Sequence, residues 1–313
     1  MTRYDTALAL AAIDDVAESD EFILKGAVAR LEAELAARSG YAFAVAGASG
    51  QSLLTLVLRL LAPAAVSAPA FAPPEVANAA VLSGARVRLH DAAPLESADV
   101  AIWWGRGSVT PTGETLRTLA AGRVVALADG FDLEPAGHPR PDVLVVSLGP
   151  ESVVAGIADA AVALTDDAEL ASGIRLLRNH GQAPATRFLY HAIGFNCRAD
   201  EVAARYLLGR LERLETELRG QAAERERAEE RFAALAGGAW VEPPARASIL
   251  TEAIDVRAPA PDGLGLVRSR ARALHLEPAV RSLGYAAGAF PASEALAREA
   301  FVLPFAAEGA PGG

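Results

Sequence analysis

Residues 42–61 read AFAVAGASGQSLLTLVLRLL. The small and apolar residues Ala42 to Ala46 suit a short buried strand. Gly47-Ala48-Ser49-Gly50-Gln51 supplies turn residues, and Ser52 to Leu61 is an apolar run long enough for a buried helix. Strand, tight turn and helix in that order make the first half of a βαβ unit. Free amides at the positive end of a helix form a cradle for a phosphate, which singles out Gly50 and Gln51.

The same grammar extends both ways. Upstream, Ala27 to Arg38 (AVARLEAELAAR) has helical apolar spacing. Downstream, Pro73-Pro74-Glu75 opens the helix VANAAVLSG, with proline where its missing amide costs nothing. Buried-strand candidates follow at Val87 to Leu89, Val100 to Trp103, Val124 to Leu127, Val143 to Val146 and Ala160 to Leu164. From about Asp200 the pattern turns into one long helix with acids and arginines three and four apart, and with Leu207, Leu208, Leu211, Leu214 and Leu218 as its stripe. The expected fold class is α/β, a mostly parallel central sheet flanked by helices, with a smaller C-terminal α+β lobe. The expected domains are residues 1–235, including the long helix, and residues 236–305. The Gly/Pro/Ala tail 306–313 is expected to be disordered.

Composition narrows the partners. The net charge is -10, which disfavours a phosphate backbone, and no basic stripe with aromatics is present, so no nucleic acid is expected. Apolar runs fall well short of the roughly 18 residues that span a bilayer, so no membrane is expected. The start MTRYDTALALAAIDDVAESD has acids where a secretory signal would be apolar, which points to the cytoplasm. The single cysteine, Cys197, leaves no cysteine-based metal site, and no metal is expected. The only lysine is Lys25. Arginine, which otherwise carries the positive charge, stays protonated and forms no Schiff base under ordinary conditions.

Several segments, in order, resemble the DegT/DnrJ/StrS family of sugar aminotransferases, fold-type I enzymes that use pyridoxal phosphate (PLP). They are FILKGAVARLEAELAARSG and AVAGASGQSLLTLVLRLL near the start, PAFAPPEVANAAVLSGA, then ALADGFD and SLGPESVVAGIADAAVALTDD. RLLRNHG and GFNCRADEVAA follow, and HLEPAVRSLGY and FPASEALAREAFVLPF extend the likeness to the C-terminal end.

The resemblance implies a role for particular positions. Gly50 and Gln51 match the phosphate turn, with Gln51 in place of the family's hydroxyl residue. Asp129 matches the acid that pairs with the pyridine nitrogen and keeps the ring an electron sink; an aspartate after a strand is also an ordinary turn former. Ser147 matches a phosphate-contacting serine, and Asn196 an asparagine that reaches the neighbouring subunit's phosphate. The family's Schiff-base lysine falls five residues after Ser147, at Ser152. A serine hydroxyl forms no imine and supplies no amine base. The ring-stacking aromatic falls near Pro73, so that stacking is lost unless Phe71 substitutes, and Asp132 adds a second negative charge near the ring oxygen.

The expectation is a degenerate member of the family that does not transaminate alone. It would act as a dimeric scaffold or partner subunit, a homodimer or a heterodimer with an active paralogue, in amino-sugar or secondary-metabolite biosynthesis. The alternative is a non-transaminase enzyme acting on a small-molecule, nucleotide-sugar-like substrate with non-covalent PLP or pyridoxamine phosphate (PMP), or with no cofactor. Ser152, Asp129, Asp132 and His180 are its candidate catalytic groups, with His191 a further possible base.

Overall fold

The computed structural model describes residues 5–91, 98–105, 122–128, 140–150, 152, 154, 156–183, 188–233, 239–240, 253–257, 267–268 and 272–304. Its centre is a seven-stranded sheet of β1 (Phe43–Gly47), β2 (Ala65–Pro69), β3 (Arg86–His90), β4 (Val100–Gly105), β5 (Arg123–Ala128), β6 (Val143–Ser147) and β7 (Ala161–Thr165). The spatial order is β1-β7-β6-β5-β4-β2-β3. β7 runs antiparallel to both β1 and β6, and the remaining pairs are parallel.

Strand alternation divides the core in two. Val45, Val66, Ile102, Val125, Leu127, Val143 and Val145 face one layer, with α3 (Gly50–Leu61), α4 (Pro74–Ser83) and α5 (Ala168–Arg178) packed there. Ala44, Ala46, Ala126, Leu144, Val146, Val162 and Leu164 face the other, covered by α2 (Gly26–Ser39) and the long α6 (Glu201–Ala233). Leu53, Leu54, Leu56, Val57 and Leu58 of α3 are all fully buried. Each such side chain contributes about 1.5–3 kcal/mol of burial.

α3 begins two residues before the apolar run implied, because Ser49 caps it. The Ser52 amide donates to Ser49 Oγ at 3.2 Å, and the Ser49 amide to Ser52 Oγ at 3.2 Å. α1 (Thr6–Ser19), which targeting arguments alone had touched, lies along α6, where Tyr206 Oη accepts from the Asp5 amide at 3.2 Å. In α6, Leu207, Leu211 and Leu214 of the expected stripe are buried and Leu208 is half-buried, while the Leu218 side chain lies outside the described residues.

Beyond α6 a four-stranded antiparallel sheet forms from β8 (Ala239–Trp240), β9 (Ala253–Arg257), β10 (Val267–Arg268) and β11 (Ala300–Pro304), with α7 (Pro291–Glu299) beside it. This is the expected α+β arrangement. Asp91, just after β3, ties it to the first sheet: its carboxylate caps α7, accepting from Ala292 N at 2.7 Å and Ser293 N at 2.6 Å. The expected tail 306–313 lies outside the described residues, as do the 235/236 boundary residues.

Candidate functional site

In an open α/β sheet ligands collect at the carboxyl ends of the parallel strands. Here β1, β2, β3, β4, β5 and β6 end at one edge, at Gly47, Pro69, His90, Gly105, Ala128 and Ser147. Gly47 and Ser147 both pair with Ala161 of β7, so they lie about 10 Å apart on that edge. Two of the sequence-derived phosphate residues, Gly50 and Gln51, form the first turn of α3 directly above Gly47. No described residue accepts from their amides, and they point the positive helix end at the edge. Gln51 is oriented by Asn78, whose Nδ2 donates to Gln51 Oε1 at 3.2 Å, a partner that sequence reasoning missed. Ser147 is half-buried beside them.

Ser152 is 1% exposed. Its Oγ donates to Gly149 O at 2.8 Å and its amide to the same oxygen at 3.0 Å. Gly156 closes the turn, its amide donating to Gly149 O at 3.2 Å. A Cβ at Gly156 would stand 2.2 Å from Leu148 O, so the chain crossing admits only glycine. The position that the resemblance assigns to a lysine therefore holds a hydroxyl committed to a local turn.

Phe71, the substitute named for the ring-stacking residue, follows the end of β2 by two residues. It is buried against Trp104, with ring centroids 6.0 Å apart at 68°, and against Ala273, Ala297 and Ala300. Pro73, at the stacking position itself, is the N-cap of α4. Asp129 and Asp132, expected at the end of β5, lie outside the described residues.

GFNCR runs across the end of β1. Cys197 O accepts from Ala48 N at 2.9 Å, and Gly47 pairs with Arg198. Burial pushes the Cys197 thiol up, against opposing pulls from Ser52 and Arg178. Asn196 is exposed, pairs through its backbone with Asn179, and makes no described side-chain hydrogen bond. His180 and His191 are also exposed. His180 has φ 61° and donates its amide to Phe195 O at 2.9 Å, and no described hydrogen bond joins it to Ser147 or Ser152. The loop between RLLRNHG and GFNCR carries Phe188, Leu189, Tyr190 and Ile193, all exposed. Gly181 locks its base: φ is 78°, and a Cβ there would meet Ala192 O at 1.8 Å.

Two buried carboxylates hold this edge from behind. Glu201, fully buried, accepts from the amides of Lys25, Ala27 and Val28 and so caps α2. Glu32 accepts from the Ala46 amide at 3.0 Å and pairs with Arg178 at 2.6 Å and Arg175 at 3.2 Å. Lys25 itself is exposed at the start of α2.

The fold is that of the fold-type I aminotransferases: a seven-stranded mostly parallel sheet with one reversed strand, and a smaller second sheet. Residues 141–261 match the model of the DegT/DnrJ/EryC1/StrS aminotransferase family. The chain is similar to a DegT DnrJ EryC1 StrS aminotransferase from Brucella abortus, with a TM-score of 0.81 at 23% identity, covering 95% of this chain and 90% of that one. It is also similar to NtdA from Bacillus subtilis with bound cofactor PMP, with a TM-score of 0.79 at 17% identity, covering 95% and 77%. Over 170 residues, 50% of the chain, it is 30% identical to the pleiotropic regulatory protein of Geobacillus stearothermophilus. That match spans only 45% of the relative's length. Among the described residues, no helix is long and apolar enough to cross a membrane, and no three His, Cys, Asp or Glu side chains form a metal-type cluster.

Proposed function

We propose that this chain is a sugar-aminotransferase-like protein that does not transaminate alone and serves as a dimeric partner subunit in amino-sugar or secondary-metabolite biosynthesis in the cytoplasm. The observation that carries the reading is Ser152. Transamination needs an amine that first holds the cofactor and then moves its proton. The hydroxyl at this position donates to Gly149 O instead. Lys25, the sole lysine, begins α2, which packs on the face of the sheet opposite α3.

The non-covalent parts of a B6 site fit better than its covalent part. The amides of Gly50 and Gln51 and the Ser147 hydroxyl are suited to a phosphate. PMP, when bound, would supply an amino group and an electron sink. With Phe71 packed edge-on against Trp104, this chain's own residues would hold the phosphate end and leave the ring weakly fixed. The partner role is supported by the exposed Asn196 and by the exposed Leu189, Tyr190 and Ile193 near it.

A second reading is favoured by the retained phosphate turn: a non-transaminase enzyme on a nucleotide-sugar-like substrate, with PLP or PMP held non-covalently or with no cofactor. The likeness to the pleiotropic regulatory protein of Geobacillus stearothermophilus is compatible instead with a regulatory use of the same sheet edge.

Affinity purification of the native chain, followed by mass spectrometry, tests the partner. Stoichiometric recovery of a lysine-bearing homologue supports a heterodimer, and recovery of a homodimer alone narrows the role to a scaffold. A monomer that converts a nucleotide-linked keto-sugar would overturn the proposal in favour of the second reading.

A further inference from the structure

The start of α3 spends its hydroxyl protons on itself. Ser49 Oγ donates to Ser52 Oγ at 3.1 Å, Ser52 Oγ to Ser49 O at 2.9 Å, and Thr55 Oγ1, one turn on, to Gln51 O at 2.8 Å. The Ser52 amide goes to Ser49 Oγ and the Leu53 amide to Ser49 O. What the turn leaves over is a set of donors. They are the amides of Gly50 and Gln51, which as the first two of the helix have no carbonyl one turn earlier, and the two N–H groups of Gln51 Nε2.

The Gln51 side chain is fixed at its other end. Asn78, in the second turn of α4, donates through Nδ2 to Gln51 Oε1 at 3.2 Å, and both side chains are half-buried. A glutamine amide carries one oxygen acceptor and two N–H donors. With the oxygen taken up by Asn78, Nε2 keeps both donors, and neither has a described acceptor. Gly50 lies against the last residues of β5, where a Cβ added to it would stand 3.3 Å from Leu127 Cδ1. The unspent donors therefore belong to one turn, at the positive end of α3 and over the carboxyl edge of the sheet.

We propose that Asn78 and Gln51 form a one-way donor relay, in which Asn78 donates to Gln51 Oε1 and Gln51 Nε2 donates to a phosphate oxygen, so that Gln51 selects a phosphate monoester. The proposal rests on reading this edge as a phosphate site. A hydroxyl at position 51 would both donate and accept, whereas an amide held by its oxygen offers donors alone, which suits an ionised phosphate whose oxygens only accept. Each bond of such a chain polarises the next, and the bond that ends on the charged oxygen is the stronger one. Gln51 touches the ligand. Asn78 acts through Gln51 and is a positioning residue.

Amide NMR of the isotope-labelled full chain, titrated with PMP and separately with phosphate-free pyridoxamine, tests the relay. PMP shifts the Gly50 and Gln51 backbone amides and the Gln51 Nε2 pair, which is identified by its loss in Gln51→Ala; pyridoxamine shifts none of them. Affinity for PMP, read from the Gly50 amide, falls about tenfold in Q51A and about fivefold in Asn78→Leu, an uncharged side chain of similar size. Once Gln51 is gone, N78L changes affinity by less than about twofold. If PMP does not shift the Gly50 amide of the unaltered chain, the phosphate reading of this edge falls and the relay falls with it. Binding that is undiminished in Q51A, or lowered equally by N78L with and without Gln51, leaves the phosphate turn standing and overturns the relay.

Discussion

Ser152 Oγ donates to Gly149 O at 2.8 Å, and this oxygen also receives the amides of Ser152 and Gly156. Three donors on one carbonyl turn the segment after β6 into a closed loop. A long amine at position 152 would have to leave this buried loop to reach a ligand.

Ser152→Ala removes one of those three donors and leaves two. A loss of about 1 kcal/mol is expected, read by urea denaturation with an unchanged slope. A loss several times larger would mean that the hydroxyl has a second partner in the folded chain.

Glu201→Ala strips the acceptor from three amides at the start of α2. Because the group is fully buried, a cost of about 2–4 kcal/mol is expected. Hydrogen exchange then places the loosening in α2 and α6. A cost no larger than that of a surface cap would contradict the buried-cap assignment.

Glu32→Ala leaves Arg178 buried without its carboxylate. The expected loss is about 3–5 kcal/mol, and the double variant Glu32→Leu with Arg178→Met recovers most of it. Equal losses in the single and double variants would show that the pair is a bystander to packing.

Asp91 sets an acid dependence. Its folded carboxyl lies below the ordinary value, so its contribution is complete above the ordinary carboxylate range near pH 4. That contribution disappears as pH falls through the lowered folded value. Asp91→Asn should flatten this acid limb of thermal stability, and should weaken the α7 cap at neutral pH by about 1 kcal/mol. An unaltered acid limb in the variant would assign the limb to other groups.

Gly181→Ala forces a Cβ to within 1.8 Å of Ala192 O at a φ of 78°. The backbone has to move, and a loss above about 2 kcal/mol is expected, with altered exchange over residues 188–196. A neutral substitution would mean that this loop is not locked at its base.

Much of the fold was legible because strand, turn and helix carry different periods. Val45, Val125 and Val143 sit on buried strands as the apolar runs predicted, and Ser49-Gly50-Gln51 forms the expected turn before a helix. Residues whose roles depend on distant partners were not legible. Glu201 reads as one more acid in a charged helix, yet it caps α2, 176 residues away from Lys25 in sequence. Phe71 could be named as a stacking candidate, but only packing against Ala273 and Ala297 shows where its ring is committed. α5 was missed as a helix although Asp167 caps it, with Leu170 N donating at 3.0 Å, a signal that a search for Asp three residues before a leucine would have found. The place of Ser152 is legible from its spacing after Ser147, whereas its hydrogen bond to Gly149 O depends on how the loop closes.

The most direct test is titration of the purified chain with PLP and with PMP by calorimetry and absorbance, followed by borohydride reduction and peptide mass mapping. No reducible adduct is expected on any peptide, with weak binding of either vitamer or none. A stoichiometric reducible PLP adduct, whether on Lys25 or elsewhere, would contradict it and return this chain to the transaminating enzymes.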